Sequence, residues 1–228
     1  MHLDLVKDGK NTTISYEQSV KPYHTLVASL AHKHSGNVEE VNVLDVGCGT
    51  GNTLVELDRL GVTARYFVAD VDKRCIAITK TRVSVAGEFL IDSVGELITE
   101  NDGGYDIVLY SHVLQYEHRP RDVISHLVGK LNNDGRLIIA VSNVMTLPKL
   151  LNSIRKKHYS EGIVTWDKST LHNLLNSIPS CVVELWDSDY LPLPLLGSSK
   201  IGMKLGNLLG RVFPNLCFSI VVVVRLRK

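Results

Sequence analysis

The chain has 228 residues and a formal net charge of +1, from 25 Lys+Arg against 24 Asp+Glu. That length suits one substantial α/β domain, expected to run over 1–228, and the near-neutral balance with a pI near 7.7 gives no global pull toward nucleic acid, so no nucleic acid is expected as partner. Four cysteines at 48, 75, 181 and 217 form neither a C-x-x-C pair nor a zinc spacing, the N-terminus carries no charged-then-apolar leader pattern, and the longest apolar run, 220–224, is short; these predict reduced thiols, no metal, no membrane helix (which needs about 20 apolar residues) and a cytoplasmic location.

Residues 1–15 are polar and read as an arm. Tyr16, Val20, Tyr23, Val27 and Leu30 recur at spacings of three and four, which predicts a helix over 16–34. Val41, Val43, Leu44 and Val46 then form a short aliphatic run, as in a strand buried on both faces of a parallel sheet. It ends in Gly47, Gly49 and Gly51, three glycines in five residues. Such a turn allows positive φ and lets a ligand lie against the backbone. A helix over 52–60 follows, its N-terminal amides pointing back at the same spot. Residues 65–70 read as the second strand, ending in Asp70, 19 residues beyond Gly51. A carboxylate there can accept from both hydroxyls of a ribose. Asp72 is its rival, although it stands where a helix N-cap would.

Strand, glycine turn and helix make half of a nucleotide-binding βαβ unit. The dinucleotide fingerprint is G-x-G-x-x-G, whereas here the third glycine comes one residue sooner and Asp45 stands two places before the first. Leu44-Asp45-Val46-Gly47-Cys48-Gly49-Thr50-Gly51 resembles motif I of the class I S-adenosylmethionine-dependent methyltransferases. The resemblance implies S-adenosyl-L-methionine as cofactor. Asp45, Gly47, Cys48, Gly49 and Gly51 would hold its amino-acid end, and Asp70 with Val71 its ribose. Asp92 and Ser93, at the end of a third strand over 87–91, would meet adenine; by itself Asp92 also reads as an N-cap for a helix over 94–99.

The fourth strand, 105–110, leads into Ser111-His112-Val113-Leu114-Gln115-Tyr116-Glu117-His118, which is similar to the family's loop over the transferable methyl. Ser111 would touch the cofactor. Many relatives read Glu-His where this chain has Gln115-Tyr116, so that histidine does not carry over. The basic-catalyst candidates are His112 and His118 first, then Glu117, His158 and Tyr159; each equally reads as a structural hydrogen-bonding partner. A helix over 121–131, a turn at 132–135 and a fifth strand over 136–143 complete the resemblance, which spans about 41–143. Tyr16 or Tyr23 would cover the methionine end, or simply pack on the sheet.

The implied fold is a Rossmann-like, doubly wound, seven-stranded, mostly parallel sheet with its last strand antiparallel and helices on both faces. Its parts are an arm and helix (1–40), a cofactor core (41–143), a lid insertion after strand 5 (144–165) and a C-terminal helix with a strand 6/7 hairpin (166–228). The lid reads as a basic helix over 145–159, broken near Pro148, either a solvated face or a holder for a phosphate or carboxylate. Between strands at 181–185 and 217–226 lies an insertion, 190–214, whose Ile201, Leu205, Leu208, Leu209 and Val212 form a stripe beside Gly202, Gly206 and Gly210. It reads either as a contact with anionic lipid or a lipid-linked acceptor, or as a homodimer contact or plain packing. The function expected is methyl transfer to an oxygen or nitrogen of a small-molecule or glycan acceptor, phosphorylated or lipid-linked variants included. The alternatives are a non-catalytic cofactor-binding scaffold or membrane-associated regulatory subunit, and an NAD(P)-dependent oxidoreductase, which fits the glycine spacing worse.

Overall fold

The structure is a computed structural model that describes residues 20–36, 39–92, 103–154, 163–193 and 200–227. Seven strands form one sheet: β1 (Val41–Val46), β2 (Ala64–Asp70), β3 (Val85–Leu90), β4 (Tyr105–Ser111), β5 (Leu131–Ser142), β6 (Cys181–Ser188) and β7 (Ser219–Leu226). Their order is β3-β2-β1-β4-β5-β7-β6. All pairs are parallel except those of β7, which runs antiparallel to both β5 and β6. Seven described helices surround it: α1 (Pro22–His34), α2 (Asn52–Arg59), α3 (Lys73–Arg82), α4 (Pro120–Gly129), α5 (Leu147–Ile154), α6 (Lys168–Asn176) and α7 (Lys200–Val212).

Residue alternation divides the core into two layers. Val41, Val43, Val68, Ile107, Leu109, Ile138, Val221 and Val223 face α1 and α2, meeting Val27, Ala28, Leu30, Leu54 and Leu57. Leu44, Val46, Val108, Tyr110, Leu137, Ile139, Val222 and Val224 face the other way, against Val123, Ile124 and Leu127 of α4 and Leu171 and Leu175 of α6. A strand covered by helices on both faces must be apolar at every position, which explains why the period-2 signal is missing from β1, β4 and β7. The run at 220–224 is thus an interior strand.

Several expected boundaries move. The fourth-to-fifth connection is shorter than predicted: β5 starts at Leu131 and takes in 132–135, with a register shift against Tyr105–Ile107. Gly135 is needed there because a Cβ would stand 2.7 Å from the Tyr105 carbonyl oxygen. Pro148 does not break a helix; α5 begins at Leu147, so the proline sits in the first turn, where its missing N–H costs nothing. β6 extends to Ser188, three residues past its predicted end. The first helix starts at Pro22, capped by Lys21 N–H donating to His24 Nδ1 over 2.8 Å. Tyr16, Ser93, His158, Tyr159 and the expected helix over 94–99 lie outside the described residues.

In this order the chain stops adding strands outward from β1 on one side and starts on the other with β4, so the parallel strands β1 and β4 have their carboxyl ends side by side. Open α/β sheets bind their ligands in the crevice at such a switch point.

Candidate active site

The carboxyl end of β1 delivers the glycine turn into that crevice. Gly47, Gly49 and Gly51 have φ of 73°, 54° and 74°, and Gly51 is the N-cap of α2. The three glycines have different reasons to be glycine. A Cβ on Gly47 would stand 2.2 Å from Val113 Cγ2, and one on Gly51 would stand 2.8 Å from Thr79 Cγ2, whereas one on Gly49 would meet nothing within 4 Å. The outer two close the turn against the protein, and Gly49 alone faces open space.

The turn is held from below and from outside. Gly49 N–H donates to Asp70 Oδ2 over 2.9 Å, Thr79 Oγ1 donates to the Gly49 carbonyl over 3.0 Å, and the Arg82 guanidinium donates to the Thr50 carbonyl and to Asn52 Oδ1. Asp70 Oδ1 also accepts from Asp72 N–H over 2.9 Å. Asp70 therefore ties the end of β2 to the glycine loop, and its carboxylate keeps accepting capacity for a further donor. Asp72 is the N-cap of α3, accepting from Arg74 N–H, and its carboxylate also meets the Arg74 guanidinium. Val71 is 69% exposed beside Asp70, an apolar surface on which a flat ring could rest. Asp92 is exposed at the end of β3.

Burial pushes the Asp45 carboxyl up to about 7, with the nearby charge of Asp70 adding to it. Burial likewise raises Asp70, and the N–H groups of Asp72 and Gly49 pull it back. Two carboxyls sharing one buried region resist double ionisation, so an incoming cation would be welcome there. Burial drives the Cys48 thiol up, so it stays a neutral wall of the loop.

The neighbouring strand end, β4, brings His112. It is the only described non-glycine residue with positive φ, 58°, in a region that histidine tolerates at some cost. Its ring centroid lies 4.2 Å from that of Tyr23 of α1 and 6.5 Å from that of Phe218, and Phe218 lies 6.1 Å from Tyr190. Four rings from four distant segments thus form a ladder along the carboxyl edge. His112 Nε2 is 3.2 Å from Ser219 Oγ, and Ser219 N–H donates to Asp189 Oδ1 over 2.7 Å. The Ser219 hydroxyl also helps hold Asp189 down, although burial, the larger influence, leaves that carboxyl at about 6. Ser219 thus touches the His112 ring with its hydroxyl and the Asp189 carboxylate with its N–H, joining the two through one residue.

The two histidines named from sequence are not brought together: His118 is exposed on the loop past Tyr116. Glu117 is occupied, accepting from the buried Tyr110 hydroxyl over 2.7 Å. Ser111 Oγ, Gln115 Oε1 and Trp166 Nε1 are buried without hydrogen-bond partners among the described residues. Ser111, which the resemblance assigned to the cofactor, is thus a buried hydroxyl awaiting a partner at the right strand end. Tyr190, Phe218, Ser219 and Asp189, which the fold brings to the same edge as His112, are not among the residues named from sequence. Their only sequence signal is an Asp-Tyr pair before a proline run and a serine opening an apolar run, and neither is specific. Two clefts, about 570 and 480 Å³, open beyond this ladder, the first lined by Asp189, Trp186, Asn207 and Arg211, the second by Lys168, His172 and Trp186. Both clefts share Trp186 and lie on the β6 side, with no residue of the glycine loop in their lining. Among the described residues, no group of three His, Cys, Asp or Glu is placed to hold a metal.

A family model described as a methyltransferase domain matches residues 18–178. The chain belongs to the S-adenosylmethionine-dependent methyltransferases. Within this family it is 27% identical over 155 residues to the malonyl-[acyl-carrier protein] O-methyltransferase of Bacillus anthracis, covering 66% of this chain and 56% of that protein. It is 25% identical over 159 residues to the ubiquinone biosynthesis O-methyltransferase of Rickettsia bellii, covering 68% of this chain and 63% of that one. The chain thus spans about six tenths of the length of these curated relatives. The magnesium protoporphyrin IX methyltransferase of Synechocystis PCC 6803, solved with bound S-adenosylhomocysteine, shares the fold with a TM-score of 0.61 and 16% identity, covering 97% of this chain and 90% of that one. The methyltransferase cofactor fits the residues present. Gly49 leaves space for it against the backbone, Asp70 has accepting capacity at the end of β2, and Ser111 offers an unpartnered hydroxyl.

Proposed function

We propose that this chain transfers a methyl group from S-adenosylmethionine to a hydroxyl of a small acceptor that has a flat or apolar face. The observation carrying the donor half is the Gly49 N–H to Asp70 bond of 2.9 Å, which fixes an open glycine shelf and a ribose-accepting carboxylate as one rigid unit. Asp45, Gly47, Cys48, Gly49 and Gly51 would bound the amino-acid end, Asp70 and Val71 the ribose, Asp92 and Ser93 the adenine, and Ser111 the reacting end. The bound sulfonium supplies an already activated methyl, so the protein's share is to align the nucleophile and manage its proton.

That proton goes to His112. Ser219, itself bonded to Asp189, would hold the imidazole through Nε2, leaving Nδ1 as the atom that would take the proton of the acceptor hydroxyl. Tyr23, Phe218 and Tyr190 offer ring faces on which a planar or pyranose-like acceptor would stack, so a glycan remains within the acceptor class. Oxygen is preferred over nitrogen because an unprotonated amine needs no base, and because the two curated relatives above are named for O-methylation. Titration calorimetry with S-adenosylhomocysteine tests the donor half, with saturable one-to-one binding expected. Incubation with labelled cofactor and a panel of hydroxylated acceptors tests the rest. Saturable NADH binding with no S-adenosylhomocysteine binding would overturn the reading.

A further inference from the structure

Helix α7 is assembled the wrong way round for a core-packed helix. Gly206 and Gly210 are buried, and a Cβ on them would stand 2.5 Å from the Leu191 carbonyl oxygen and 2.9 Å from Cys217 Sγ. Leu191 N–H donates to the Gly206 carbonyl over 3.1 Å, so the helix backbone lies directly on the chain leaving β6. Most of the large side chains point the other way, with Met203 and Leu209 half-buried at the sides. Ile201, Leu205, Leu208 and Val212, spaced by four, three and four, are 73%, 40%, 60% and 67% exposed, and Phe213 beside them is 51% exposed. Lys204 and Arg211 each precede a member of this row by one position and are exposed along its flank. From 200 to 228 the sequence has six Lys or Arg and no Asp or Glu.

A helix on a globular core turns its large apolar residues inward. Here the inward face is glycine and the outward face is aliphatic with a basic border, the arrangement of a helix lying in a membrane interface, where cationic side chains reach headgroups above a buried apolar row. At 13 residues the helix is about 20 Å long, and no described helix is long and apolar enough to cross a membrane, so α7 would lie on a surface. We propose that α7 docks this protein on an anionic lipid surface, with Ile201, Leu205, Leu208, Val212 and Phe213 entering the boundary between headgroups and acyl chains and Lys204 and Arg211 facing lipid phosphates. A second copy is a poorer occupant, because a shared α7 interface would gather two basic rows with no acid of this segment to neutralise them.

α7 joins the end of β6 to the start of β7, which sets it at the same edge of the sheet as the glycine loop and His112. The Tyr190 ring, outermost of the ladder, lies 3.4 Å from the Cβ position of Gly206. Docking would bring the ring ladder to the bilayer surface. An acceptor with an apolar tail then suits the site, a clause that rests on the methyltransferase reading, whereas the docking does not.

Co-sedimentation with vesicles tests this, comparing phosphatidylcholine alone with phosphatidylcholine containing about a third phosphatidylglycerol. The wild-type chain should pellet with the anionic vesicles and much less with neutral ones, and lose binding as salt rises. Lys204→Ala with Arg211→Ala should weaken anionic-vesicle binding by about 25-fold, at roughly fivefold per cation. Leu205→Glu with Leu208→Glu should abolish pelleting while melting temperature and S-adenosylhomocysteine affinity stay unchanged. The proposal fails if the wild-type chain stays in the supernatant with anionic vesicles, or if the glutamate pair still pellets. It fails in favour of a second copy if light scattering shows a lipid-free dimer that the glutamate pair makes monomeric. Failure to bind S-adenosylhomocysteine would instead strike the methyl-transfer reading and leave the docking result standing.

Discussion

The two halves of the site are built by different means. The centre of the donor half lies within one stretch, 41–72, and is made largely of backbone: glycines with positive φ, an N–H, and a carboxylate bonded to the loop it serves. The acceptor half gathers side chains from α1, the end of β4, the exit of β6 and the start of β7, so Tyr23, His112, Tyr190 and Phe218 span 196 positions (218 minus 23, plus one). A backbone cradle is fixed by local conformational chemistry and needs a recognisable string of residues. A side-chain ladder is fixed by topology, and any ring at the right strand end will do.

The sharpest way to separate the halves is His112→Asn, which keeps a residue tolerant of positive φ but removes the base. It should cut kcat by about 10²–10⁴ while S-adenosylhomocysteine affinity, read by calorimetry, stays the same. Parallel losses in both would place His112 in the donor half.

Asp45 comes next, through stability. Its folded pKa of about 7 is raised above the unfolded 3.8, so burial favours the protonated form. The associated stability is complete below the unfolded value and is lost as pH rises through about 7. The ionised carboxyl then costs the cofactor-free protein up to about 4 kcal/mol. Asp45→Asn should therefore raise the urea midpoint at pH 8 and change it little at pH 4. Cofactor affinity of the wild-type chain should climb from pH 6 to pH 8, as the carboxyl ionises to meet the cofactor's ammonium.

A smaller effect is expected of Asp70→Asn, which replaces a charged acceptor by an amide. S-adenosylhomocysteine should bind about 10- to 100-fold more weakly, the worth of a hydrogen bond to a charged group, with kcat at saturation little altered. Unchanged affinity would remove Asp70 from the ribose. The smallest test compares two glycines. Gly49→Ala costs the fold only the strain of positive φ, about 1–2 kcal/mol, because nothing lies within 4 Å of its Cβ; yet it should weaken cofactor binding. Gly47→Ala, 2.2 Å from Val113, should lower the melting temperature further than Gly49→Ala does.

This division explains what could be read in advance. Five strands and the family follow from 41–143, and the last two strands from the runs at 181–185 and 217–226, because buried strands and glycine turns write themselves locally; the antiparallel last strand came with the resemblance. The turn expected at 132–135 became strand because pairing with Tyr105 overrode the Asn-Asp-Gly signal. Asp72 stands at the N-cap that its spacing predicts. Ser219 and Asp189 gave no signal, for a relay of hydrogen bonds between strand ends depends on which strands become neighbours. The choice between His112 and His118 had the same cause: six positions apart in the chain, they differ only in which one the sheet carries into the crevice.

The antiparallel strand has one more consequence, for the order in which the protein can be made. β6 touches the sheet only through β7, and β7 is the later of the two in the chain. While the ribosome still holds residues 218–226, β6 has no strand to pair with, and Phe218 and Ser219 are absent from the edge. The donor half can close early on local contacts, but the acceptor half is finished only by this last, long-range addition. A nascent chain stalled before residue 219 should bind S-adenosylhomocysteine before it can turn over any acceptor.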